Sequence, residues 1–187
     1  MLLLVCALTG LAVFVWWLWC EDAGLPTSRL PERHGRLVPQ ERVLFVCTHN
    51  SARSQMGEAI LRQLGGSRFY VASAGTRPTM VNPLTLQVMG ERALDLSGHR
   101  SKSIAEVGTH WDYVITVCDA AYEQCPDFPV KTSRLHWSVP DPAMTPGSEG
   151  DQLQSFRRVR DELHQRIRHW LDDRGIAVAS GDPATWP

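Results

Sequence analysis

No Cys-x-x-Cys pair occurs anywhere in the chain, which excludes the zinc ribbons and fingers that need that spacing. The five cysteines, Cys6, Cys20, Cys47, Cys118 and Cys125, are odd in number and irregularly spaced. They do not make the disulfide framework of a small secreted scaffold. Basic charge is not in excess: 19 Lys and Arg stand against 20 Asp and Glu, a net charge of −1. A general nucleic-acid binder would be basic, so no nucleic-acid partner is expected. No internal repeat and no low-complexity tract is present, and 187 residues are enough for one ordinary domain and an extension.

Charge is also absent from residues 1–19, which are apolar apart from Thr9 and Gly10 and end in Trp16, Trp17 and Trp19. About 20 such residues can span a bilayer, with the tryptophans at its interface. Arg29, Arg33, Arg36 and Arg42 follow, and the positive-inside rule would keep the rest of the chain on the cytoplasmic side. Two rival readings are a translation start set too far upstream and a cleaved signal peptide. The latter fits poorly, since no Lys or Arg precedes the apolar run and no Ala-x-Ala site closes it. The expected organisation is an apolar segment over 1–20, a linker over 21–40, a globular domain over 41–174 and a tail over 175–187.

What the chain does have is concentrated in residues 43–56. Val43 to Val46 is a short apolar run, read as a buried strand. A polar loop follows, Cys47-Thr48-His49-Asn50-Ser51-Ala52-Arg53, and then a helix start at Ser54-Gln55-Met56. A strand, a tight loop and a helix N-terminus turn backbone amides toward a bound anion. Arg53 adds a planar fork of donors, and the same positive field favours a reactive thiolate at Cys47. The spacing predicts further strands at 69–72, 112–117 and 134–137. Helices are expected from Gln55 to Leu64, from an Asn82-Pro83 start to about Ala93, over 103–108, and over a last amphipathic stretch through Leu153, Phe156, Val159, Leu163, Ile167 and Trp170. Strands alternating with helices predict an α/β fold, three layers around a parallel sheet of about four strands. Cys47 and Cys118 both fall at C-terminal strand ends, the edge where such sheets bind ligands.

These residues carry a resemblance. From Val43 to about Leu171 the chain resembles the arsenate reductases built on the low-molecular-weight protein tyrosine phosphatase fold, and the loop from Cys47 to Met56 matches almost throughout. The phosphatases themselves usually carry Pro where Gln55 stands and a second Cys where Ala52 stands. The resemblance implies that Thr48, His49, Asn50, Ser51, Ala52, Arg53 and Ser54 hold the oxyanion, and that Asp141, in Asp141-Pro142-Ala143, is the general acid. It also implies a three-cysteine relay. Cys47 attacks arsenic(V), Cys118 attacks Cys47, and Cys125 then attacks Cys118 by thiol–disulfide exchange. Thioredoxin or a similar thiol donor regenerates the enzyme, with no bound cofactor. The segment from Asp119 to Phe128 should then be mobile or partly helical.

Two other functions remain open on the residues alone. One is a phosphatase that hydrolyses phosphate monoesters with only Cys47, Arg53 and Asp141. The other is a membrane-tethered redox sensor that forms the disulfide without turnover. A cytoplasmic monomer is expected. Asn50 and Ser54 are read as supports of the loop and its thiolate, with Ser73 ordering Asn50, and His49 as a residue with an unusual backbone angle. Some relatives bind potassium where Asn50, Glu58 and Ser73 stand, but Arg100 and Lys102 replace the other ligands here. No metal and no potassium dependence is therefore expected. His99 reads as a surface histidine, and Arg157, Arg158, Arg160, Asp161 and Glu162 as the solvated face of the last helix.

Overall fold

The computed structural model of the protein describes residues 40–129 and 132–178. The apolar segment at 1–19, the expected tether and linker, and most of the expected tail lie outside the described residues. Among the described residues, no helix is long and apolar enough to cross a membrane.

Four parallel strands form one sheet in the order β2-β1-β3-β4. They are β1 (Glu41–Cys47), β2 (Phe69–Gly75), β3 (Tyr113–Thr116) and β4 (Ser133–His136). Helices flank and connect them: α1 (Arg53–Gly65), α2 (Pro83–Gly90), α3 (Ile104–Val107), α4 (Asp119–Gln124) and α5 (Glu149–Asp173). The α/β class and the four parallel strands agree with the sequence. β1 is central, and Val43, Leu44, Phe45 and Val46 are completely buried. A strand covered on both faces reads as a continuous apolar run rather than an alternating one. The chain goes from β1 to β2 on one side and to β3 on the other, so the strand order reverses between β1 and β3. That crevice is the topological switch point where open α/β sheets bind ligands.

Several boundaries differ from expectation for local reasons. β2 runs on through Ser73 and Ala74 to Gly75, because each residue pairs in register with β1 up to Cys47. α2 stops at Gly90 rather than near Ala93. Ala93 takes a left-handed angle (φ 57°), and the Leu94 N–H returns to the Met89 carbonyl; such a bond closes a helix C-terminus. The unusual backbone angle expected at His49 falls instead on Asn50 (φ 48°). Asn tolerates that region because its short side chain can bond locally, and here it does so four times over. On α5, Arg160 is not on the solvated face: it is 2% exposed and donates to the Val88 carbonyl at 2.8 Å.

Candidate active site

The loop between β1 and α1 is shaped by the segment after β2. The carbonyls of Cys47, Thr48, His49 and Ser51 accept from the N–H groups of Thr76, Arg77, Thr79 and Asn82, at 2.8 to 3.2 Å. In a trans peptide the N–H points opposite to the carbonyl. Holding these carbonyls outward therefore turns the N–H groups of Thr48, His49, Asn50 and Ala52 to the other side. The Asn50 N–H indeed points at Cys47 Sγ, 3.1 Å away. The result is a ring of donors above one sulfur.

A second set of contacts holds that ring from below. Asn50 Nδ2 donates to Ser54 Oγ (2.9 Å) and Ser73 Oγ (2.8 Å). Because Ser54 Oγ accepts there, its own proton is free for Cys47 Sγ at 2.9 Å. Two donors thus meet the sulfur and stabilise negative charge on it. Ser73 in turn donates to the buried carboxylate of Glu58 at 2.5 Å. That carboxylate is met by Arg62 at 2.5 Å and by Lys102 Nζ at 3.4 Å. A buried carboxylate needs such partners. Of the two residues expected to stand in for an ion, only Lys102 lies against that carboxylate. The Arg100 guanidinium turns away to Glu106 (2.6 Å), while its backbone carbonyl faces Lys102 Nζ and Gln55. Glu106 is drawn down to about 2 by the Ser103 N–H and by Arg100.

Arg53, the first residue of α1, reaches across to the loop after β4. It donates to the Val139 carbonyl at 3.0 Å and pairs with Asp141 at 2.6 Å. Asp141 also caps the short 3-10 turn Pro142–Met144 by accepting from the Ala143 N–H. The structure therefore brings Cys47, Arg53 and Asp141 around one cradle of about 50 Å³, lined also by His49, Ser51, Ala52, Asn82 and Ala143. A larger cavity of about 550 Å³ shares Arg53 and Asp141 with this cradle. Thr48, Arg53, Asp141 and Cys118 line it, with Asp119 and Ser138 at its wall.

Cys118 lies just past β3, 6% exposed, with its sulfur 3.4 Å from Thr48 Oγ1. It caps α4, and Cys125 lies at the other end of that one short helix. All three cysteines are free and buried. Burial pushes the Cys125 thiol above its ordinary value, against a smaller opposing pull from Arg134. Asp119 accepts from Ser138 and faces His136 at 3.0 Å, and both contacts lower its carboxyl. Two contributors escaped sequence reasoning. Gln55 was noted only for not being proline, and His99 was assigned to the surface. They touch at 2.8 Å across 44 residues of chain, a separation that no local pattern signals. Among the described residues no cluster of His, Cys, Asp or Glu is arranged to hold a metal ion.

The profile of the low molecular weight phosphotyrosine protein phosphatase family matches residues 42–179. The chain is 37% identical over 137 residues to arsenate reductase 2 of Staphylococcus saprophyticus, covering 73% of this chain and 100% of that protein. It superposes on an arsenate reductase in the phosphate binding state with a TM-score of 0.60 and 29% identity, over 72% of this chain and 98% of the other. A thioredoxin-dependent arsenate reductase of Corynebacterium glutamicum gives a TM-score of 0.58 and 28% identity, over 73% of this chain and 63% of the other.

Proposed function

We propose, for a chain that belongs to the low molecular weight phosphotyrosine protein phosphatase family, that its reaction is the reduction of arsenate to arsenite, serving arsenic detoxification. The observation that carries this reading is the second thiol. Cys118 reaches the nucleophile's loop at Thr48, with a third cysteine one short helix away. Ester hydrolysis needs one cysteine and water, whereas reduction of arsenic(V) needs two electrons, which a pair of thiols supplies.

The steps we assign are those of the relatives' relay, carried onto these residues. An entering oxyanion takes up the ring of amides and the Arg53 fork, which is now held by Asp141. The anion displaces Asp141 from Arg53, and Asp141 takes up a proton from the entering acid arsenate; Cys47 then attacks arsenic, and Asp141 gives that proton to the departing hydroxyl, which leaves as water. Cys118 attacks the Cys47 sulfur. The S–As bond breaks with its electron pair on arsenic, arsenite leaves, and a Cys47–Cys118 disulfide remains. Cys125 attacks Cys118, returns Cys47 as a thiolate and carries the disulfide to Cys118–Cys125. Burial keeps the Cys125 thiol neutral until α4 opens, which guards against early oxidation. An external dithiol then reduces the pair; thioredoxin is the donor we assign, as in the C. glutamicum relative. A relay recycled by a thiol reductant suits a reducing compartment, and we assign the domain to the cytoplasm as a monomer. The small cradle also suits an inorganic anion, since pockets for drug-sized ligands measure about 300–1,000 Å³.

The test is three Cys→Ser variants assayed with arsenate and thioredoxin. Each should abolish turnover, while Cys118→Ser and Cys125→Ser should retain slow hydrolysis of an aryl phosphate through Cys47. Full arsenate turnover by Cys118→Ser would defeat the relay, and one arsenite per protein under excess reductant would make the chain a sensor. The Lys102 ammonium beside Glu58 gives a companion expectation: activity should be equal in potassium and sodium salts. A clear rise in potassium would show that an ion, not Lys102, completes the support.

A further inference from the structure

Behind the loop runs a chain of contacts that the relay does not use. Gln55 is completely buried. Its Nε2 lies 3.0 Å from the Asn50 carbonyl, 2.9 Å from Asn50 Oδ1 and 3.0 Å from the Arg100 carbonyl. Three acceptor oxygens around one atom identify it as the amide nitrogen. The amide oxygen therefore faces His99 Nδ1 at 2.8 Å. That oxygen can only accept, so Nδ1 carries the proton. The other ring nitrogen lies 3.5 Å from Arg62 NH1, a group that only donates. A neutral ring protonated at Nδ1 satisfies both neighbours, whereas a doubly protonated ring would oppose Arg62. The charged groups around the ring are Glu58 and Arg62 on α1, Lys102 on its own loop, and Asp95 in the turn after α2. Burial acts first to lower the ring's proton affinity, and Arg62 and Lys102 add to it against Glu58 and Asp95.

We propose that His99 is a positioning residue for the nucleophile: its Nδ1–H locks the Gln55 amide, Gln55 holds Asn50 by backbone and side chain, and Asn50 keeps its left-handed turn with its N–H on Cys47 Sγ. Each link is a hydrogen bond between buried or half-buried groups, so loss of the first donor leaves the Gln55 oxygen unpaired and lets the amide turn. The inference rests on Cys47 as the nucleophile. It does not depend on which oxyanion reacts, and its test reads the sulfur directly.

The variants are His99→Ala and His99→Asn in the full chain. The Asn amide nitrogen can reach the place of Nδ1 and donate to Gln55, whereas Ala cannot. Alkylation of Cys47 by iodoacetamide is followed against pH by mass spectrometry of its peptide. In His99→Ala the rate at neutral pH should fall about tenfold and its rise should move to higher pH, with kcat/KM for arsenate falling alongside. His99→Asn should restore the wild-type profile to within about twofold. An unchanged profile in His99→Ala overturns the proposal. So does an equal loss in His99→Asn, which would mean that only the bulk of the ring matters. Nitrogen-15 NMR of the wild-type imidazole is a check that needs no variant. Nδ1 should be protonated and Nε2 bare at neutral pH, and the opposite tautomer overturns the assignment.

Discussion

Gly75 lies opposite Cys47 in the β1–β2 register, and the atom it lacks lets the loop close. A Cβ there would sit 2.8 Å from the Thr48 carbonyl oxygen, 2.9 Å from the Asn50 nitrogen and 3.0 Å from the His49 carbonyl carbon. These are backbone atoms, so they can yield only if the loop moves. Gly75→Ala should cut kcat/KM for arsenate about a hundredfold, the scale of a 1 Å misplacement, while far-UV circular dichroism stays unchanged. Wild-type kinetics in this variant would show that the loop has slack. The same neighbourhood shows where residue-level reading succeeds. Cys47 and Arg53 could be recognised because their chemistry needs a strand, a loop and a helix start, all of which are local patterns. The strained angle, expected at His49, was misplaced by one residue, because the four contacts that support it at Asn50 reach Ser54, Ser73, Gln55 and Lys102, and two of those partners lie far along the chain.

Among the elements, β1 was legible as a continuous apolar run just before the Cys47 loop, and α1 and α5 by their helical apolar periods. β4 was harder to read. It is an exposed edge strand of four residues, Ser133–His136, and its pairing with β3 rather than its sequence defines it. α4 was expected only as part of a mobile or partly helical segment from Asp119 to Phe128, and its helix covers Asp119–Gln124; six residues are too few for a period to fix such bounds. Its two ends differ in a measurable way. Cys118 meets the Thr48 hydroxyl, while Cys125 is packed away with its thiol pushed up by burial. In the reduced protein at neutral pH, iodoacetamide should therefore modify Cys47 well before Cys125. The thiol is raised above its ordinary value of 9.0, so the folded state holds a proton that the unfolded state gives up as pH rises. Stability should fall as pH climbs through 9, and this fall should shrink in Cys125→Ala. An identical alkaline limb in both proteins would mean that burial of this thiol does not contribute.

At the scale of the molecule, α5 joins the parts that the site needs. Through Phe156, Val159, Leu163 and Ile167 it contributes to the core. Through Thr145 and Ser155, 2.7 Å apart, it touches the end of the Asp141 loop. At its far end Arg174 packs on Trp170 and Tyr113 and pairs with Glu41 at the start of β1. Its tie to α2 is ionic. Arg160 bonds the Val88 carbonyl and Glu91, and Arg157 clasps Glu91 from outside. This tie was hidden in the sequence, because Arg160 sits among charges that fit a solvated helix face, and only packing against α2 turns it inward. Glu91 is part-exposed and keeps Arg157, so Arg160→Ala loses mainly the buried bond to the Val88 carbonyl and the packing of its stem, about 1.5 kcal/mol. For a chain of this size that is a fall in Tm of roughly 3–6 °C. Arg160→Met, which keeps the buried stem, should lose less. The carboxyl of Glu91 is lowered from 4.5, first by Arg157 and then, against burial, by Arg160. A lowered carboxyl stabilises the fold above its unfolded value and loses that contribution as pH falls. The Tm difference between wild type and Glu91→Gln should therefore be widest near neutrality and close as pH drops below 4.5. If the difference is the same at both ends, hydrogen bonding that Gln can reproduce joins α5 to α2, and the charge of Glu91 does not.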